Sequence, residues 1–182
     1  MVSQVDAGVG KIISSLEELG IHEDTVVIFT ADHGDMQGSH GLKNKCYSYE
    51  KSCGIPFIVS VPGGRKGTVS ASLVSGIDLY PTCLEYANLQ SESHLQGKSF
   101  APYSLGEEQS LDKPVFAESE YKSWKMVRHG RYKLTIDSQT KAPYLLYDMD
   151  NDPYELNNLV NCDEFNDVKE ALTNMIINTL RF

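Results

Sequence analysis

Long apolar runs, cationic charge and paired cysteines are all scarce in this chain, and each scarcity excludes something. No stretch approaches the roughly eighteen apolar residues that a membrane-spanning helix requires. The first residues lack the basic start and apolar centre of a secretory signal, which leaves localisation undetermined. Lysine and arginine number 16 against 25 aspartates and glutamates, a net charge of −9. That balance argues against non-specific binding to nucleic acid, which rewards a basic face, but it does not forbid a local cationic pocket. The four cysteines, Cys46, Cys53, Cys83 and Cys162, form no C-x-x-C pair. Neither a zinc site nor a dense disulfide framework is expected, and buried or half-buried free thiols are.

What is present reads as two differently built parts. Val5, Val9, Ile12, Ile13, Leu16 and Leu19 recur at spacings of three and four, one stripe of an amphipathic helix that Gly20 closes. Thr25-Val26-Val27-Ile28-Phe29 and Phe57-Ile58-Val59-Ser60-Val61 are unbroken apolar runs dominated by β-branched residues. They predict strands buried on both faces of a mostly parallel sheet. Pro56 leads into the second run and Pro62-Gly63-Gly64 leads out, placements that suit a strand entrance and a turn. Ile77, Tyr80, Leu84 and Ala87 predict a covering helix with Ser75 or Asp78 as cap and Pro81 in its first turn. Residues 90–114 are polar and irregular.

Beyond that point the pattern changes. Residues 115–119, 124–128, 131–136 and 144–147 are short, aromatic and β-branched, with His129-Gly130 as a two-residue hairpin turn, so an antiparallel sheet is predicted. Phe165, Val168, Leu172, Met175, Ile176 and Leu180 carry helical spacing to the end. The expected class is therefore α/β: part of a mostly parallel sheet with covering helices over residues 1–110, then a small antiparallel sheet with a C-terminal helix over 111–182.

The polar residues concentrate behind the first strand, in Thr30-Ala31-Asp32-His33-Gly34-Asp35-Met36 and onward to Lys45. Ligands of open α/β sheets bind beyond the carboxyl ends of strands, which is where this segment begins. A carboxylate beside an imidazole, Asp32 with His33, is either a half-shell for a divalent cation or a turn cap with a local hydrogen bond. Lys45 either swings a point charge back toward the same crevice to neutralise an anionic oxygen or is simply solvated. His40 offers a donor to the same anion or a proton donor.

Residues 25–63 resemble the metal-binding segment of the sulfatases, within the wider alkaline phosphatase superfamily. The resemblance comprises the apolar strand, T-A-D-H-G-D-M, G-S-H-G-L, a lysine three residues later, Tyr49-Glu50 and I-P-F-I-V-S-V-P-G. It extends through Asp78-Leu79-Tyr80-Pro81-Thr82, Arg128 with Gly130-Arg131-Tyr132-Lys133, Leu146-Tyr147-Asp148, and Asp152-Pro153-Tyr154-Glu155 with the residues to Leu159. These later motifs are expected to shape the small domain, and Tyr49 and Glu50 to anchor the loop. The resemblance implies that Asp32 and His33 help coordinate a divalent cation, usually calcium, with magnesium or manganese as alternatives. It implies that Lys45 contacts the sulfate of an ester, with His40 kept as the candidate donor beside it. The substrate would be a sulfated small molecule or glycan. Cys46 stands where the family more commonly has glycine.

Sulfatases attack with a formylglycine made from C-x-P-x-R or S-x-P-x-R, and neither pattern occurs here. The expectation is therefore the C-terminal part of a longer sulfuric ester hydrolase, inactive alone. Two rivals remain. One is part of a phosphate or phosphonate monoester hydrolase of the same superfamily. The other is a non-catalytic module whose exposed sheet edge pairs with a second copy.

Overall fold

A computed structural model describes residues 1–90, 92–107 and 110–180. Residues 91, 108 and 109 of the predicted irregular stretch, and the last two of the C-terminal part, lie outside the described residues. The α/β class stands, with a two-stranded sheet, a four-stranded antiparallel sheet and a C-terminal helix.

Helix α1 (Val2–Glu18) carries the predicted stripe. It ends on a Schellman closure, in which Gly20 takes φ +68 and the Ile21 and Gly20 amides donate to the Leu16 and Glu17 carbonyls. Its burial is less than the stripe suggests: Val9, Ile13 and Leu16 are half-buried, while Val5 and Ile12 are exposed.

Strands β1 (Val27–Thr30) and β2 (Phe57–Ser60) depart from the mostly parallel sheet expected to hold them. They run antiparallel, with Val27 opposite Ser60 and Thr30 opposite Phe57. The cause lies in the connection. A parallel partner needs a crossover that carries the chain back to the starting end of the sheet. Residues 31–56 contain a 3-10 turn at Ser39–Gly41 and the four-residue helix α2 (Glu50–Cys53), too little for such a crossover, and Gly34 N–H donates to the Ser52 carbonyl at 2.9 Å. The loop therefore returns at the end it left. Nor are these strands covered on both faces: β1 is half-buried throughout, and Ile58 on β2 is 62% exposed.

After a 3-10 turn at Gly76–Asp78, helix α3 (Leu79–Tyr86) starts with the predicted caps acting together, since Ser75 and Asp78 form a capping box. Asp78 is buried. It also accepts the Lys98 amide at 2.8 Å and pairs with Lys113, so one carboxylate ties three segments. A short helix, α4 (Ala101–Leu105), lies in the stretch predicted to be irregular.

Strands β3 (Val115–Ser119), β4 (Trp124–His129), β5 (Tyr132–Asp137) and β6 (Pro143–Asp148) form an antiparallel meander. His129 pairs with Tyr132, so the turn is Gly130-Arg131, one residue later than predicted, with Gly130 at φ +54. Register sorts the side chains by face. Val127, Leu134 and Leu146 stand in one row and pack with Ile136 under helix α5 (Asn166–Thr179), against Leu172 and Ile176. The opposite row holds Arg128, Lys133 and Tyr147, flanked by Trp124, Met126 and Thr135. That second face is also buried, and what buries it is the polar loop.

Candidate functional site

The loop folds back on itself in a short ladder. Beyond β1, Met36 is fully buried; its N–H donates to the Asn44 carbonyl at 2.9 Å, and the Gly38 N–H to the Leu42 carbonyl at 2.9 Å. The reversal at its tip uses positive φ at Gly38, His40 and Gly41. Gly34 admits no side chain, because a Cβ there would lie 2.1 Å from the Lys51 carbonyl. This closure brings position 45 beside position 33, twelve residues apart.

Three predicted residues converge. His33 Nδ1 lies 2.7 Å from the Gly34 carbonyl, a contact that requires the proton on Nδ1. In the neutral ring that leaves Nε2 as a lone-pair acceptor. Lys45 Nζ donates to it at 2.6 Å, and Asp32 Oδ2 lies 3.4 Å from the same nitrogen. Asp32 Oδ1 also accepts the His33 amide at 3.0 Å, as a turn residue would. His40 goes elsewhere: it stacks on Tyr49 with ring centres 4.0 Å apart and planes 14° apart.

Behind Lys45 the loop is fastened to the meander by groups that the sequence marked only as structural. Trp124 Nε1 donates to the Cys46 carbonyl at 2.9 Å. Glu50 accepts from Arg128 Nη1 at 3.2 Å and Lys133 Nζ at 3.3 Å, and its own amide donates to Glu155 Oε2 at 2.6 Å. Lys133, 1% exposed, also lies 2.9 Å from Glu155 Oε1 as an ion pair, although off hydrogen-bond alignment. The half-buried Arg128 and Glu50 thus complete a neutral group around the buried Lys133 and Glu155, either of which alone would be penalised by its burial. Cys53 donates to the Tyr47 carbonyl at 3.1 Å, and burial pushes its thiol up to about 11, partly offset by Lys133. It is a packed thiol, not a nucleophile. A cavity of about 580 Å³ between β2, α4 and the β3–β4 edge includes Cys53 and Arg128 in its lining, but none of Asp32, His33, His40 or Lys45.

Residues 38–181 match the family described as N-sulphoglucosamine sulphohydrolase, C-terminal. The fold and that match define a sulfatase C-terminal region, and the chain belongs to this family. It is 35% identical over 194 residues to the endo-4-O-sulfatase of Bacteroides thetaiotaomicron, covering 94% of this chain and 38% of that protein. With the arylsulfatase of Clostridium perfringens it shares 28% identity over 197 residues, covering 98% and 38%. A solved protein in complex with its substrate, D-glucosamine-2-N,6-O-disulfate, superposes with a TM-score of 0.88 at 26% identity, covering 98% of this chain and 38% of that one. The phosphonate monoester hydrolase of Agrobacterium radiobacter superposes at 0.82 with 25% identity, covering 98% and 39%. The chain therefore spans well under half the length of these relatives. Among the described residues no helix is long and apolar enough to cross a membrane.

Proposed function

We propose that this chain carries one edge of a sulfuric ester hydrolase site, in which Asp32 and His33 face a divalent cation and Lys45 faces the sulfate. The observation that carries the reading is the convergence on His33 Nε2 of the Asp32 carboxylate at 3.4 Å and the Lys45 ammonium at 2.6 Å. Oxygen and nitrogen ligands of one cation, each bound at about 2.0–2.6 Å, sit at such a separation from each other. The Gly34 carbonyl fixes the ring so that Nε2 is the nitrogen presented. The family resemblance, rather than the imidazole in the donor set, favours calcium, with magnesium or manganese as alternatives, and one carboxylate with one imidazole is a partial shell. No group of three or more His, Cys, Asp or Glu that could hold a metal occurs among the described residues.

When bound, such a cation polarises the ester oxygens and stabilises the charge that builds on them. Lys45 shares Nε2 with that role. With that nitrogen given over to a cation, Lys45 would be the residue that offers its ammonium to a sulfate oxygen and would stabilise the negative charge there. His40, held by its stacking on Tyr49, is kept in this reading as a second donor to the sulfate. A sulfated glycan is the favoured substrate class, supported by the sulfated glucosamine bound to a structural neighbour. The formylglycine nucleophile has no precursor motif in these residues, so the chain alone is expected to turn over no aryl sulfate. Metal-dependent hydrolysis by the purified chain would overturn that expectation.

The test is a titration of the full chain followed by the imidazole nitrogens in NMR. Calcium in the range of about 1–10 mM, suited to a weak, incomplete site, should move the His33 Nε2 resonance, and Asp32→Ala should abolish the movement. Sulfate added next should move the Lys45 side-chain resonances. An unmoved His33 would favour a non-catalytic module instead. The phosphonate monoester hydrolase neighbour supports a second reading, in which methylphosphonate binds more tightly than sulfate in the same titration.

A further inference from the structure

We infer that Trp124, on the first long strand of the meander, is a positioning residue for Lys45, acting through the Cys46 carbonyl; the inference rests on the role proposed for Lys45. Lys45 sits between two non-glycine residues in the left-handed region, Asn44 at φ +67 and Cys46 at φ +75. Residues other than glycine leave that region unless something holds them there. On each side of Lys45 the holding contact is visible. The Asn44 carbonyl accepts the N–H of fully buried Met36 at 2.9 Å, and the Cys46 carbonyl accepts the Trp124 indole N–H at 2.9 Å.

The first bond fixes the peptide plane that enters Lys45 and the second the plane that leaves Cys46, one residue beyond the lysine, so together they hold the 44–46 segment from which its side chain departs. That side chain ends on His33 Nε2. The anchors differ in origin. Met36 belongs to the loop itself, whereas Trp124 lies 78 residues beyond Cys46 and is 5% exposed, held by the sheet. Lys122, two residues earlier, places its ammonium 4.9 Å from the centre of the Tyr47 ring, so the same β3–β4 hairpin grips the residue after Cys46 as well. Tyr47 N–H in turn donates to buried Ser52 Oγ at 3.1 Å. The meander thus determines where the lysine points, although it contributes no group to the crevice.

The test removes the indole N–H, keeping the bicyclic ring in one variant and a smaller aromatic ring in the other. In Trp124→Phe, and in the full chain carrying benzothienylalanine at 124, the NOE between the Lys45 ε-protons and the His33 ring should fall about fivefold or more, while methyl shifts of Val127, Leu134 and Ile176 stay in place, as expected for local rather than global opening. A purely structural tryptophan would move the core shifts and the NOE together. An unchanged NOE in either variant overturns the inference. If both variants fail to fold, hydrogen exchange in the unaltered chain decides. The Trp124 indole and the Tyr47 amide should exchange with protection factors within about threefold of each other, and a mismatch of about tenfold or more overturns the inference. Neither measurement uses metal or sulfate. A failed calcium titration with a Trp124-dependent NOE removes the functional reading alone, and the converse removes this one alone.

Discussion

The meander and the β1–β2 layer carry apolar patterns of similar quality and meet opposite fates. In the meander, Val127, Leu134, Ile136 and Leu146 disappear under α5, and the reverse face disappears under the 44–54 segment. In the other layer Ile58 and Ile12 are more than 60% exposed. Periodicity states which face an element can bury, whereas burial itself depends on whether another surface arrives. The site loop lies at the seam, with one end leaving the open layer and its far side clamped by the closed one.

The largest expected effect breaks this comparison directly. Leu134→Ala removes a fully buried side chain and should lower unfolding free energy by about 3 kcal/mol through lost transfer energy and a cavity. Ile12→Ala, from the stripe of α1 at 63% exposure, should stay within about 0.5 kcal/mol. Urea denaturation of the two variants checks both values. A cost above about 2 kcal/mol for Ile12→Ala would mean that the α1 face is covered in solution.

Much of the fold was legible because local chemistry determined it. Gly20 closes α1, Ser75 and Asp78 cap α3, and the alternating aromatic and β-branched segments become β3 to β6. The direction of β2 was not legible, since it follows from the Gly34–Ser52 contact between distant backbone groups and not from either apolar run. The same limit governs the site. Asp32, His33 and Lys45 could be singled out by residue type and by family resemblance, and the Met36–Asn44 ladder that joins them gives no composition signal. Arg128, Lys133 and Glu155 stood in motifs read as structural; charged residues at inward-facing strand positions were the available clue to their pairing with Glu50. For Trp124 the clue was weaker still: it is the chain's one tryptophan, and its polar N–H needs a partner once the ring is buried.

A middle-sized effect should distinguish the closed region by its acid response. Hydrogen bonding to the Arg131 guanidinium, with help from the Asn151 and Asp150 amides, holds the Asp148 carboxyl below its ordinary range. The folded state therefore takes up this proton less readily than the unfolded chain. The resulting stability is present above the unfolded value of about 3.9 and is lost as pH falls through the depressed folded value. Urea midpoints should hold from neutral pH to about 5 and fall below about 4. Asp148→Asn should lower the midpoint at neutral pH, and its deficit should shrink as the acid limb is approached. A deficit that stays constant down to about pH 3 would remove Asp148 from the acid response.

The smallest effect lies at the seam. Cys46 holds φ +75, a conformation that costs a residue with a Cβ about 1 kcal/mol or more and glycine almost nothing. Glycine also gives the unfolded chain more freedom, which returns about half of that gain. Cys46→Gly should therefore raise stability by about 0.5 kcal/mol, and Cys46→Ala, which keeps the Cβ, should not. If alanine stabilises as much as glycine, the thiol and not the backbone is the source of strain. If neither does, the freedom that glycine returns to the unfolded chain cancels the whole relief, and the left-handed conformation at Cys46 costs less than about 1 kcal/mol.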